Sequence, residues 1–373
     1  MGNVLSLVSY KIFPARLGGQ KGIALFYKYL SERQKIVMVT VKANNPVFAE
    51  YLVLNFLSNS ILRYVNILYF FKLQRIIRKH QISKVIIEHP YYGWLGLMLK
   101  WFCGVKMVIH SHNIEALRFK TLGKWWWRIL WRYEGFVYRH ADLTFCITEE
   151  DRQYLINKFH VADERSVVIT YGIESDTIPP EIVRNTTSST IRLRHNIPNN
   201  EKVFLFNGTL NYQPNLDAVK GILNVINPTF IKSVIPYKII ICGKGLPPDM
   251  HNLNEYSNEN IIYAGFVEDI GEYFNGSDVF INPVLDGGGI KTKLVEALAG
   301  NLDVVSYRSG AIGVDPYLCN GKLLISEDGN WQQFAGQMVE AGKVKKDIPT
   351  SFFDYFYWGG IVEKASNSLD SLT

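Results

Sequence analysis

Short apolar blocks alternate with longer amphipathic stretches from one end of the chain to the other. Val4–Ser9 predicts a strand, followed by Pro14, the Gly18–Gly19 pair and a helix from about Ile23 to Leu30. Ile36–Val41 predicts a second strand, and the apolar, basic stretch from about Phe48 to His80 a long helical region. Val85–Ile87 reads as a buried strand ending in Glu88-His89-Pro90. A helix over roughly Trp94–Phe102 and a strand over Lys106–Ile109 follow. Lys124–His140 has helical spacing, Leu143–Ile147 is strand-like, and Thr148-Glu149-Glu150 opens a capped helix before the strand Val167–Ile169. Alternation of this kind argues for an α/β fold with a parallel sheet and helices on both faces.

Between Glu174 and Lys202 the chain is polar and broken by Pro179, Pro180 and Pro198, which marks the expected crossing between two domains. The boundaries expected are 1–175 and 176–351, with the aromatic and then helical segment 352–373 returning to the first domain. A second α/β series runs through the strand Val203–Phe206, a helix from about Asn215 to Ile226, and the strands Lys238–Cys242 and Ile261–Ala264. A short helix around Ile270–Asn275 ends it. These strands run into Asn207-Gly208-Thr209, Gly243-Lys244-Gly245 and Gly265-Phe266-Val267.

The stretch from Asp278 to Ser306 carries the clearest chemical pattern. A strand (Val279, Phe280, Ile281) leads into Asp286 and three glycines, then into a helix bearing Leu294, Val295, Ala297 and Leu298, then into a strand at Val304–Val305. Gly287, Gly288 and Gly289 place no Cβ in the way of a ligand, and the helix directs its positive end to the same place. Lys291 and Lys293 add positive charge beside Ile290, and Glu296, one turn on, can accept hydrogen bonds from sugar hydroxyls. An anion site and an ordinary βαβ turn both fit this local pattern.

In the first half, His110-Ser111-His112-Asn113-Ile114-Glu115 follows a strand, where open α/β sheets hold their ligands. His112 is the candidate there for binding or proton transfer, with Asn113 and Glu115 beside it on the acceptor side. From Tyr51 to Tyr133 there are thirteen Lys or Arg against two acids, Glu88 and Glu115, which suits an anionic partner: a membrane surface or a phosphorylated substrate. The aromatic stretch Lys124–His140 fits either a helix dipping into a headgroup layer or one packed on its own domain.

The 373 residues suffice for two cores, with 47% apolar and 20% charged residues and a net charge of +6. Four scattered cysteines, Cys103, Cys146, Cys242 and Cys319, show neither metal spacing nor a disulfide framework, which fits a reducing, cytoplasmic compartment. Met1–Tyr10 reads as an amphipathic strand rather than a secretory signal, and charged or amide residues interrupt every strongly apolar window. No pattern calls for nucleic acid.

PARLGG (Pro14–Gly19), HSHNIEALR (His110–Arg118), CITEED (Cys146–Asp151), ITYGIE (Ile169–Glu174), NGTLNYQPNLDAVKGIL (Asn207–Leu223), ICGKG (Ile241–Gly245), YAGFVEDIGEYFNGSDVFINP (Tyr263–Pro283) and GGGIKTKLVEALAG (Gly287–Gly300) follow one another in order. Together they resemble the retaining GT-B glycosyltransferases of the family 4-like group, in a subgroup of bacterial polysaccharide clusters. The resemblance implies two Rossmann-like domains with parallel sheets facing a central cleft. It implies transfer of a sugar from a nucleoside-diphosphate donor held by the C-terminal domain. The acceptor hydroxyl, on a sugar or lipid-linked molecule, would belong to the N-terminal domain, which could touch the inner face of the cell membrane peripherally.

By the same resemblance Glu296 binds the donor ribose. Gly287–Gly289 and the following helix start hold the diphosphate, with Gly18 and Gly19 assisting. Gly208, Gly243, Phe266 and Val267 border the nucleotide, His112 faces the transferred sugar, and no metal is needed. Many relatives carry an acid where this chain has Gly288, so Asp286 is the candidate substitute at the sugar. Relatives also place an Arg and a Lys after the glycine that ends the second domain's first strand, whereas Thr209–Asn215 has neither; Lys291 or Lys293 could compensate. Two rivals follow: a non-catalytic member of the fold that binds a sugar nucleotide or a partner transferase, and a nucleotide-sugar epimerase, for which no further catalytic carboxylates can be placed.

Overall fold

The computed structural model describes residues 3–15, 18–47, 49–232, 235–286, 289–343 and 346–372. The chain divides into two compact units, Met1–Gly172 with Phe356–Thr373, and Ile173–Tyr355.

The first unit contains β1 (Asn3–Leu7), α1 (Gly18–Ser31), β2 (Lys35–Val41), β3 (Leu52–Leu57), α2 (Leu68–Lys79), β4 (Ile82–Glu88), α3 (Gly93–Cys103), β5 (Lys106–Ser111), α4 (Glu115–Thr121), α5 (Trp127–His140), β6 (Leu143–Cys146), α6 (Glu149–Phe159) and β7 (Ser166–Val168). Its seven strands lie in the order β3-β2-β1-β4-β5-β6-β7, and every pair is parallel. The central strands are buried along nearly their whole length, so they read as Val/Ile/Leu-rich runs.

The second unit contains α7 (Glu181–Arg194), β8 (Lys202–Asn207), α8 (Gln213–Gly221), α9 (Asn227–Phe230), β9 (Tyr237–Cys242), β10 (Ile261–Gly265), α10 (Ile270–Gly276), β11 (Val279–Asn282), α11 (Thr292–Ala299), β12 (Asp303–Tyr307), β13 (Leu323–Ser326) and α12 (Trp331–Glu340). The sheet order is β10-β9-β8-β11-β12-β13, again all parallel. After α13 (Thr350–Phe356), α14 (Trp358–Asp370) packs on α1 of the first unit. Trp358 is buried against Phe26, Tyr29 and Tyr171, and its ring faces Gly172 so closely that a Cβ there would lie 2.4 Å from it.

Two expectations about the elements need correction. The stretch expected to be helical from about Phe48 to His80 holds the edge strand β3 and a 3-10 turn before α2 begins at Leu68; Phe48 itself lies outside the described residues. An edge strand is only half covered: Leu52 is exposed, and Leu57 is the strand's one fully buried residue. Its apolar run therefore carries no clean period. The second correction concerns Glu174–Lys202, expected to be broken throughout, which contains the fourteen-residue helix α7. Its Thr187, Ser189 and Thr190 hydroxyls donate to carbonyls one turn back, so the polar residues are satisfied within the helix. Ile191 packs onto Gly276 of α10, where a Cβ would come within 2.6 Å. Tertiary packing thus overrides weak helix propensity. The strand β13 and the helix α12 had no counterpart in the sequence reading.

Candidate functional site

In both sheets the chain order reverses beside the first strand, between β1 and β4 and between β8 and β11. Ligands of open α/β sheets sit outside the strand C-termini at such switch points. The candidate residues collect at those ends in each unit.

In the first unit Glu88 and His110 are partners across β4 and β5, and His112 lies two residues beyond His110. The period-two geometry of strands therefore turns all three toward one another. Glu88 Oε1 accepts hydrogen bonds from the Tyr27 hydroxyl at 2.6 Å and from His110 Nδ1 at 3.0 Å, and Oε2 lies 2.6 Å from His112 Nε2. The carboxylate is wholly buried, whereas the His112 side chain is 17% exposed. Burial alone would raise the Glu88 carboxyl, but the two histidines outweigh it and hold it well below the usual carboxylate range.

A second pair lies alongside. His89 Nδ1 is 3.0 Å from Glu115 Oε1, and the Tyr10 hydroxyl is 3.0 Å from His89 Nε2. Tyr91 and Arg118 donate to the other Glu115 oxygen at 2.6 and 3.1 Å. Burial pushes Glu115 up, but His89, Tyr91 and Arg118 bring it down to about 2. The His89 and His112 rings stack 4.5 Å apart. His89 adopts φ 61°, ψ 156°, a region almost reserved for glycine, so the fold spends conformational energy to put an imidazole there.

Glu88, His110 and His112 offer ligand atoms within 4.8 Å of one another, as a metal site requires. The 2.6 Å approach of His112 Nε2 to Glu88 is a charge-assisted hydrogen-bond distance. Two ligands sharing a tetrahedral ion at about 2.0–2.1 Å sit farther apart than that. The arrangement is a hydrogen-bonded network.

Of the residues expected on the acceptor side, Asn113 is half-buried, and Glu115 is fully buried with its oxygens facing His89, Tyr91 and Arg118. Glu115 therefore acts through its neighbours. Gly18 and Gly19 form the start of α1, and a Cβ on Gly19 would meet nothing within 4 Å. Neither Glu88 nor His89 figured among the expected residues. The signal that could have found them is the polar end of an otherwise apolar strand.

In the second unit the ends of β8, β9 and β10 are tied by backbone hydrogen bonds, Gly208 N to Cys242 O at 3.0 Å and Gly243 N to Gly265 O at 2.7 Å. Gly243 lies against Gly208 so closely that a Cβ would be 1.9 Å from its carbonyl oxygen, which accounts for glycine there. Phe266 is 62% exposed and Val267 half-buried.

Gly287 and Gly288 lie outside the described residues; Gly289 has φ +70°, where a side chain would be strained. Asp286 is exposed, and Ile290 and Glu296 are half-buried. Lys291 Nζ donates to Gly289 O at 3.0 Å. Lys293, in the first turn of α11, reaches back to the end of β8, donating to Asn207 O at 2.9 Å and Asn215 Oδ1 at 3.3 Å with its ammonium over the Phe206 ring. A cation thus stands at the end of β8 although Thr209–Asn215 supplies none. Burial lowers Lys293 to about 7, with Lys291 adding to the effect, and lowers Lys291 to about 8 against the opposing charge of Asp286. Two buried lysines thus stand at the start of a helix without acids in its first turn, where the helix dipole adds positive potential.

Residues 18–177 match the family model described as Glycosyltransferase Family 4, and residues 201–342 match that described as Glycosyl transferases group 1. Among solved structures, HepE of Anabaena in complex with UDP is 16% identical with a TM-score of 0.74, covering 99% of this chain and 100% of that one. A glycosyltransferase of Rickettsia africae ESF-5 is 16% identical with a TM-score of 0.74, covering 99% and 98%. Sucrose-phosphate synthase of Thermosynechococcus elongatus is 14% identical with a TM-score of 0.75, covering 99% of each. The chain is also 30% identical over 115 residues to an uncharacterized 44.6 kDa protein in the cps region of Klebsiella pneumoniae; that match spans 29% of this chain and 30% of the Klebsiella protein.

One buried acid generates a test of the electrostatics around α4. Glu134 of α5 accepts from Ala116 N at 3.0 Å, and burial raises its carboxyl to about 8. A carboxyl raised on folding binds its proton more tightly in the native state, so its contribution to stability is complete below about pH 4 and is lost as pH rises through 8. Glu134→Gln keeps the acceptor and removes the titration. The variant should melt at a higher temperature than the parent at pH 8.5, by a few degrees, and by much less at pH 5. Parallel melting curves at both pH values would show that Glu134 does not titrate as described.

Proposed function

The chain belongs to the GT-B glycosyltransferases of family 4 and group 1, and on that premise we propose that it moves a sugar, with retention of anomeric configuration, from a nucleoside-diphosphate sugar to an acceptor hydroxyl. The observation that carries the donor assignment is the pair of lysines beside the glycine turn, both lowered by burial. As the bond to the sugar stretches, negative charge gathers on the leaving phosphate. Lys291, Lys293 and the N-terminus of α11 are fixed in advance to receive it. In this reading no metal is required, because these groups supply the positive charge. Gly287 and Gly288, outside the described residues, join Gly289 at the diphosphate, with Gly18 and Gly19. Glu296 takes the ribose, Gly208, Gly243, Phe266 and Val267 border the base, and Asp286 and His112 serve the transferred sugar.

Bacterial surface polysaccharide or glycoconjugate assembly is the proposed setting, supported by the short match to a protein of a cps region. The acceptor is proposed to be a sugar or a lipid-linked molecule met at the inner face of the membrane. No helix among the described residues is long and apolar enough to cross a membrane. Of the residues between Tyr51 and Tyr133, the two acids are fully buried, so the outer face of that stretch carries only basic, polar and apolar side chains. Its exposed residues include Ile61, Phe71, Trp101, Phe102 and Trp125. Aromatic residues of α5 also pack inward: Trp131 Nε1 donates to the Tyr154 hydroxyl and Tyr138 stacks on Phe159. Co-sedimentation with phosphatidylglycerol vesicles should therefore exceed that with phosphatidylcholine vesicles and fall with salt. Equal, weak sedimentation with both would remove the membrane from the proposal.

A thermal-shift panel of UDP-, GDP-, ADP- and TDP-sugars with their free nucleotides tests the donor site. One nucleotide should raise the melting temperature. Glu296→Ala should weaken its binding by about 1–3 kcal/mol through loss of the ribose hydrogen bonds. The bound diphosphate favours charged lysines, so affinity should be highest at or below pH 7 and drop at least tenfold by pH 9. Folded protein that responds to no nucleotide would favour the non-catalytic alternative.

A further inference from the structure

Three histidines meet at the ends of β4 and β5, and their hydrogen bonds make them unequal. His89 Nε2 is hydrogen-bonded with the Tyr10 hydroxyl, and its Nδ1 is buried 3.0 Å from the Glu115 carboxylate without hydrogen-bond geometry. His110 gives Nδ1 to Glu88 and keeps Nε2 buried without a partner. His112 is the most exposed of the three and has a ring nitrogen to offer: Nε2 points to Glu88, while Nδ1 has no hydrogen bond to any described residue. An ionised carboxylate only accepts, so the hydrogen between Glu88 and His112 resides on the ring.

We propose that Glu88 is a positioning residue of the transfer reaction, holding His112 as its Nε2–H tautomer so that Nδ1 is the atom presented to a substrate hydroxyl. The ring cannot rotate out of this role without cost. Glu88 Oε2 fixes its edge, while His89 and His110 lie with ring centroids 4.5 Å from its own. Tyr27 and His110 in turn fix the Glu88 carboxylate from the other oxygen. In the neutral ring Nδ1 accepts a hydrogen bond from the hydroxyl. When Nδ1 takes up a proton, the imidazolium shares its charge with Glu88, and the same atom becomes a donor. A neighbouring carboxylate favours that charged form. Glu88 thus acts through His112 and needs no contact with substrate.

The inference rests on the proposed role of His112 at the sugar, and the two can fail separately. Long-range proton–nitrogen spectra of the full chain labelled with 15N-histidine, assigned with His112→Ala, report the tautomer without any assay of activity. The wild type is expected to show His112 protonated on Nε2 in its neutral form. In Glu88→Gln the amide can also donate, so both tautomers become allowed and the neutral ring should show a mixture of the two. With the panel nucleotide sugar that binds best, kcat should fall at least tenfold while KM for that donor stays within twofold. A wild-type Nδ1–H tautomer would overturn the proposal, as would a Glu88→Gln protein with an unchanged His112 tautomer and unchanged kcat. Should the variant not fold, the wild-type spectrum alone decides. Full turnover by His112→Ala would instead remove His112 from the reaction, and Glu88 with it, whatever the tautomer.

Discussion

A parallel sheet with both faces buried leaves only its strand ends to meet water, and this constraint decides where the chain can keep its chemistry. Along β1, β2, β4 and β5 the interior is largely apolar, with Ser6, Thr40 and Lys84 as buried exceptions, and the titratable side chains of the site gather where the strands stop. Glu88 is the last residue of β4, and His110 and Ser111 are the last of β5. Charge held at that boundary is expensive unless fully paired. The network answers with three donors on Glu88 and with His89, Tyr91 and Arg118 around Glu115. The bonds on the two Glu88 oxygens and the flanking rings fix the His112 ring, which gives its Nδ1 a defined orientation.

The second unit uses the same constraint with opposite sign. At the ends of β8 and β11 the buried charges are ammonium groups, and Lys293 is held by a backbone carbonyl, an amide oxygen and an aromatic face, while Lys291 donates to the Gly289 carbonyl. A bound anion would add negative charge beside them. Asp286 is the acid that influences Lys291, and it is exposed. A site built this way favours an anion and favours it more as the anion's charge grows, which is the requirement for stabilising a departing diphosphate.

Much of the fold was legible because buried parallel strands must be written as Val/Ile/Leu runs, and the strands of both sheet centres were found that way. β3 was not, because an edge strand is half solvated and its Leu52–Leu57 run has no distinct period. α7 was not, because its stability comes from the contact of Ile191 with Gly276, 85 positions away, and not from its own composition. At the site, the glycine turn, Lys291, Lys293 and His112 carry local patterns that announce themselves. Glu88 and His89 do not: a carboxylate that binds histidines 22 and 24 residues on becomes visible only when the register of β4 with β5 is known. The reach of Lys293 to Asn207, which fills the place left by the missing Arg and Lys, is likewise a product of packing.

The central claim is that this chain turns over a sugar nucleotide with His112 at the transferred sugar. Its most direct test is the rate of nucleoside diphosphate release from the nucleotide sugar that binds, measured for the wild type and for His112→Ala at saturating donor. The account expects steady release by the wild type and a rate at least a hundredfold lower in the variant, with nucleotide affinity retained. No release from a nucleotide sugar that binds tightly, or equal release by both proteins, would contradict it.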